Sequence, residues 1–286
     1  MLSTRARSRS PRRWTWLLTD HGHGHEHELG GAPHDPSLAD SAGQPWKGRH
    51  FESHGSEADD GTAPPELIDA IVRFHAGEAA ASEVVDAVRG VRLLVPLVAH
   101  AGDEGLTDAG LRVDKTQELS LVTVAGPDGR TVLPAFTSVD ALTTWNPKAR
   151  PIPVASRRAA LAAASEGTEL IVLDPGSPTE FALRRPAVWA VAQDLPWAPP
   201  VQDADVTDAF ELSIASERAV AGLRLVEGDP DARLRAPEVV IVLALEPGLD
   251  QAALQALLSR LQNRWAEHPV IAERVDSLSV RLTALN

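Results

Sequence analysis

No cysteine occurs among the 286 residues. That absence excludes disulfides, thiolate catalysis and cysteine-ligated zinc together. Lysine is nearly as scarce: Lys47, Lys115 and Lys148 are outnumbered heavily by arginine, a bias read here as that of a GC-rich coding sequence rather than an arginine recognition code. Long apolar runs are missing too. The longest, VRLLVPLVA from position 91 and VVIVLAL from position 239, fall far short of the roughly 18 residues that cross a bilayer, so no membrane span is expected. Net positive charge is also lacking. At −13, the chain repels phosphate and anionic lipid, so neither nucleic acid nor a membrane is an expected partner. The local exception is the opening, with Arg5, Arg7, Arg9, Arg12 and Arg13. Arg12 and Arg13 precede an apolar run as they would in a secretion signal. That run, from Trp14 to Leu18, is shorter than the roughly 7–15 residues a signal needs, and a cytoplasmic location is expected.

Common catalytic signatures are missing as well: there is no HExxH, no GxSxG and no GxxxxGK[ST]. The loudest chemistry present is HGHGHEHE, in which His21, His23, His25 and His27 alternate with Gly and Glu. Alternating imidazoles on a flexible chain give weak, unselective affinity for Zn²⁺, Ni²⁺ or Cu²⁺. A working metal centre needs ligands fixed by neighbouring groups on rigid elements, which this stretch does not offer, so no cofactor is expected. The basic opening and the tract are also compatible with a start codon placed too far upstream.

Residues 1–63 are poor in aliphatic side chains and rich in Gly, Pro, Ser, His and charge, a composition that predicts a disordered tail. Beyond it the chain reads as α+β: two small mixed α/β-sheet domains, 64–196 and 206–286, joined by the proline-rich DLPWAPPVQDAD. In the first, PPELIDAIVRFHAG predicts a helix that Pro65 opens and Gly77 ends, with Leu67, Ile68, Ile71, Val72 and Phe74 on its apolar face. SEVVDAVRG predicts a second helix capped by Ser82. VRLLVPLVA predicts a strand that Pro96 confines to an edge or a bulge. AGDEGLTDAGLRVDK is expected to be a loop, and ELSLVTVAGPDGRTVLPAF a hairpin around Gly-Pro-Asp-Gly. TSVDALTTW predicts a short helix capped by Thr137, NPKARPIP a rigid connector, SRRAALAAASEG a helix, and ELIVLDP a buried strand. DPGSP is expected to be a turn. In the second domain the pattern is helix, strand, strand, helix, strand. Leu254, Leu257, Leu258, Leu261 and Trp265 form one continuous helical stripe.

LPAFTSVDALTTWNPKARPIP concentrates Phe136, Trp145, Lys148 and Arg150 between prolines, and aromatic groups beside cations suit a recognition surface. With DSAGQPWKGRHF, DDGTAPPEL, VRLLVPLVA, DKTQELSLVTV and ELIVLDPGSP, this segment makes the chain resemble the SseB (enhanced serine sensitivity) family in its actinobacterial form. The likeness runs over about residues 35–195, and residues 206–286 resemble the second domain that follows in such proteins. The resemblance implies an α+β fold without an established reaction and supplies no catalytic residues. Its matching positions, Lys115, Pro134, Phe136, Thr137, Ser138, Trp145, Pro147, Arg150 and Asp174, are candidates for a shared ligand or partner surface.

The resulting expectation is a non-catalytic binding or regulatory protein with a groove near Phe136–Arg150 and an unidentified protein or small-molecule partner. Two alternatives stand beside it. One is a small-molecule sensor or enzyme using Lys115, Asp174 and Arg150; the other is metal binding through the histidine tail.

Overall fold

The computed structural model describes residues 15–17, 59–99, 104–106, 112–114, 119–165 and 167–284. The histidine tract and Lys115 lie outside them.

Helices α1 (Pro65–His75) and α2 (Ala81–Arg89) open the body. Pro65 takes the first helical turn as expected, and Leu67, Ala70 and Ile71 are buried. Val72, assigned to the apolar face by sequence, is 55% exposed, because it lies about 100° around the helix from Ile71. The cap of α2 is also displaced. Ala80 is the N-cap, and Glu83 reaches back to accept its backbone N–H at 3.0 Å, so Ser82 lies inside the helix.

The strand pattern holds with two corrections. β1 (Thr15–Leu17) pairs antiparallel with β6 (Thr123–Ala125). β3 (Glu104–Leu106) and β4 (Arg112–Asp114) form a short antiparallel ladder where a loop was expected. β2 (Arg92–Ala99) is a central strand, not an edge. It lies between β5 (Leu119–Leu121) and β8 (Arg150–Ala155), which is the supposed connector. The prolines explain how. Pro96 faces Pro151 across the β2–β8 pair. Leu94 exchanges backbone hydrogen bonds with Phe136 on the opposite side, and pairing with β5 starts at Leu97. Alternate residues direct their N–H to the same side of a strand, so Pro96 falls in the gap between Phe136 and β5 and costs the ladder no bond. β8 tolerates its own prolines because it is the edge.

The main sheet has the order β1-β6-β7-β9-β10, with β7 (Thr131–Ala135), β9 (Ile171–Leu173) and β10 (Phe181–Leu183). β6 and β7 make the expected hairpin, closed by Gly126 and Gly129. The β7–β9 pair is parallel, with α3 (Val139–Trp145), β8 and α4 (Ser156–Ser165) between them in sequence. α1, α2, α4 and α5 (Arg185–Gln193) contribute buried side chains to one core, including Leu67, Val84, Ala160 and Val188, with Leu133, Ile171, Leu173 and Phe181 from the sheet.

The C-terminal part builds its own core. α6 (Ala204–Ile214), α7 (Gln251–Glu267) and α8 (Pro269–Arg274) pack on a three-stranded sheet of order β11-β12-β13. Its strands are β11 (Val220–Glu227), β12 (Val239–Leu245) and β13 (Leu278–Ala284), and the β12–β13 pair is parallel. The predicted stripe of α7 is there: Leu257, Leu261 and Trp265 are buried, Leu258 partly so. Trp265 packs edge-on to Phe210 at 5.6 Å and donates its indole N–H to Ser213. Among the described residues no helix is long and apolar enough to cross a membrane, and residues 62–284 fall in one compact unit.

Candidate functional site

The segment singled out by sequence folds around Asp174. This residue follows β9 and adopts a left-handed backbone, φ +42°, a conformation Asp tolerates better than most side chains. Its carboxylate is 1% exposed. It accepts hydrogen bonds from the Thr137 backbone N–H at 2.8 Å, the Thr137 hydroxyl at 2.7 Å and the Thr179 hydroxyl at 2.8 Å. Burial pushes the carboxyl above its ordinary value, and the Thr137 and Thr179 bonds oppose that rise. The LPAFTS and DPGSP motifs, 37 residues apart, are thereby fastened to each other. Asp174 and its turn match the expectation of a turn more closely than that of a catalytic carboxylate, since three donors occupy its oxygens.

This arrangement explains a displaced cap. Thr137, expected to open α3, is consumed by Asp174, and Ser138 caps the helix by accepting from the Ala141 N–H at 3.0 Å. Phe136 is fully buried with Leu94, Leu142 and Ala149. Trp145 is half-buried, lies 4.9 Å from Phe136 ring to ring, and also packs against the cluster containing Val124, Val132 and Val172. The turn that follows is different in character. Pro147, Lys148 and Arg150 are exposed, and among the described residues neither the Lys148 ammonium nor the Arg150 guanidinium has a partner. The structure therefore sorts the sequence-named residues in two. Phe136, Thr137 and Asp174 are interior, Ser138 is a cap, and Trp145 links that interior to an exposed cationic turn.

Replacing Asp174 by alanine is expected to destabilise the fold by about 2 to 4 kcal/mol, because two hydroxyls and a backbone N–H lose their acceptor in the interior. Asp174→Asn should cost about half as much, since Asn keeps an acceptor oxygen and tolerates positive φ. Urea unfolding of the three proteins measures this; an alanine variant within about 1 kcal/mol of wild type would contradict it.

A second polar centre had no sequence signal. Arg184, 6% exposed, reaches from the end of β10 into the C-terminal part. It donates to Asp229 at 2.7 Å, Asp276 at 3.1 Å, the Ser277 hydroxyl at 3.0 Å and the Ala236 carbonyl at 2.8 Å. Arg130 grips the same Asp276 with both terminal nitrogens, at 2.9 and 2.8 Å. Burial alone would raise the Asp276 carboxyl, but Arg130 and Arg184 hold it below its ordinary value. Glu238 accepts the Asp276 backbone N–H at 2.7 Å. Desolvation raises the Glu238 carboxyl to about 7, assisted by the nearby Asp276 charge and opposed by the hydrogen bond and by Arg184 and Arg185. Arg185 donates to the carbonyls of Ala272 and Val275, at the C-terminal end of α8, where a cation meets the negative end of the helix.

An open cavity of about 480 Å³ adjoins this cluster, with Arg130, Thr131, Thr168, Glu169, Arg185 and Asp276 in its wall. Its arginines are already engaged by Asp276 and by helix carbonyls. A narrower cavity of about 60 Å³ lies between Phe74, Phe181, Trp197 and Glu238, and among the described residues the Trp197 indole N–H has no acceptor. Among the described residues no three His, Asp or Glu side chains converge as metal ligands.

No curated protein and no solved structure matches the chain. Residues 67–190, from α1 to α5 and including the Asp174–Thr137 centre and the Trp145 turn, match the family model described as the SseB protein N-terminal domain.

Proposed function

We propose that the chain is a non-catalytic binding or regulatory protein of the cytoplasm, and that it engages its partner with the cationic turn after α3. The observation that carries this reading is the division of labour in the matched domain. Asp174, Thr137 and Ser138 spend their polar atoms on holding the segment in shape, and what the rigid segment presents outward is Lys148 and Arg150 next to Trp145. Free cations on a fixed turn suit a partner bearing carboxylate or phosphate, and such cations stand out on a chain of net charge −13. The same reading takes the protein as of the actinobacterial SseB type, with residues 206–286 as its second domain.

Affinity capture with the full chain tests this, comparing wild type with a Lys148→Ala, Arg150→Ala double variant. Both substitutions lie at exposed positions, so folding should be retained. Partner recovery should fall at least fivefold, and equal recovery by the folded double variant would sink the cationic turn as the binding element.

A sensor or enzyme built on Lys115, Asp174 and Arg150 is less well supported, because the Asp174 carboxylate is committed to three hydrogen bonds. Metal binding by His21, His23, His25 and His27 concerns residues outside those described; calorimetry with and without residues 1–34 decides whether any affinity resides there.

A further inference from the structure

Among the described residues, the helices of the C-terminal part pack on one face of its sheet, and on the other face Arg224, Arg281 and Thr283 are exposed while Gly222, Val226, Val240, Val242, Ala244 and Ser279 are half-buried. The inward face carries Val239, Ile241 and Leu243 of β12, flanked by Leu223 and Leu225 of β11 and by Leu278 and Val280 of β13, all packed with the helices. Side chains alternate across a strand, so the residues between these form the opposite face. The strand registers fix how they line up. Val226, Val240 and Ser279 make one row; Arg224, Val242 and Arg281 the next; Gly222, Ala244 and Thr283 the third. None of these nine belongs to a buried cluster. Arg224 and Arg281 are exposed, and among the described residues neither has an ion pair or side-chain hydrogen bond.

We propose that this open face is an interaction surface for an acidic amphipathic helix of a partner protein. The charge is the first argument. The chain as a whole is −13, yet the three rows hold two arginines and no carboxylate. A second copy of the same face would oppose arginine to arginine, so self-association through it is disfavoured. The spacing is the second argument. Neighbouring strands lie about 4.8 Å apart, which places the Arg224 and Arg281 backbones about 10 Å apart with Val242 between them. Carboxylates seven residues apart on a helix are separated by about 10.5 Å along its axis, and the residue between them on the same stripe faces the same way. A helix crossing the strands can set one carboxylate on each arginine and an aliphatic side chain on Val242. The low-relief row of Gly222 and Ala244 gives the helix backbone room to approach. Nucleic acid is a poorer fit, since two arginines on a strongly acidic chain neutralise few phosphates.

This surface is separate from the Lys148–Arg150 turn, and its test is independent of that reading. The probe is a synthetic alanine-based helix of fifteen residues with glutamate at its fourth and eleventh positions and leucine at its eighth. A second peptide carries lysine in place of both glutamates, and vesicles containing phosphatidylglycerol form a third arm. Amide chemical shifts of the full chain are followed during titration. The expected result is saturable shifts confined to the Arg224, Val242 and Arg281 rows with the acidic peptide, and none with the lysine peptide. Affinity should fall at least tenfold in Arg224→Glu, Arg281→Glu and stay within twofold in Arg158→Glu, an exposed control on α4. Equal shifts with both peptides, no shifts with either, or an unchanged affinity after charge reversal would overturn the proposal. Vesicle binding that depends on Arg224 and Arg281 without any response to the acidic peptide would overturn it in favour of a lipid surface.

Discussion

Arg184→Met should lower the stability of the folded chain by about 3 to 5 kcal/mol, the range for removing one partner of a buried ion pair. The guanidinium is the hub of four hydrogen bonds, to two carboxylates, a hydroxyl and a carbonyl. The Asp229 and Asp276 side chains it faces are 5% and 2% exposed. Methionine fills a similar volume but leaves Asp229, among the described residues, with only the backbone N–H groups of Leu234 and Arg235. Asp276 fares better, because Arg130 still holds both of its oxygens. Arg184→Lys should recover only part of the loss, since a point charge cannot reproduce a fork that meets four acceptors. Asp229→Asn in the Arg184→Met background should restore stability by more than about 1 kcal/mol, which a double-mutant cycle reads as coupling. Denaturant unfolding measures wild type, the Arg184→Met, Arg184→Lys and Asp229→Asn single variants and the double variant; a methionine variant that loses less than about 1 kcal/mol would show the network to be dispensable.

Stability should also depend on pH through Glu238. Its carboxyl is raised in the folded protein, from an ordinary 4.5 to about 7, so the folded state holds a proton that the unfolded state releases first. That contribution is fully present below about pH 4.5, and it is lost as pH rises towards and through about 7. Each tenfold difference in proton affinity between the folded and unfolded chain is worth roughly 1.4 kcal/mol, so the loss across this interval is on the order of 3 kcal/mol. Glu238→Gln should abolish this component. The glutamine carbonyl still accepts the Asp276 N–H, and no charge has to be buried, so the variant should gain on wild type as pH increases. The comparison is between their urea midpoints at pH 5 and pH 8. Parallel pH dependence in the two proteins would mean that Glu238 titrates normally. Asp276 acts in the opposite sense. Its lowered carboxyl contributes stability above its unfolded value that is lost on acidification, and this separates the two groups in the same data.

The contrast between α7 and β8 shows what was legible in the sequence. Leu257, Leu261 and Trp265 recur at helical spacing after the Asp250 cap, and both the helix and its buried face follow from that local pattern. β8 was misread because its two prolines argue against pairing, and only its position at the edge, with Pro151 opposite Pro96, makes them harmless. Thr137 and Ser138 are equally good caps by sequence. The choice fell to Ser138 because Asp174, 37 residues away, takes the threonine. Phe136, named with Lys148 and Arg150 as a candidate surface residue, is wholly buried, while the exposure of Lys148 and Arg150 depended on the turn into β8.

By itself the sequence determined the periodic elements, the α+β class, the hairpin at Gly126–Gly129 and the exclusion of cysteine chemistry, because each is encoded within a few consecutive residues or in composition. The tertiary structure decided which charges are interior. Arg184 meets Asp229 and Asp276 across separations of 45 and 92 residues, and Arg130 meets Asp276 across 146. No local pattern marks such partners: an arginine at the end of a short strand looks like any surface arginine until folding removes its water and brings the carboxylates that replace it.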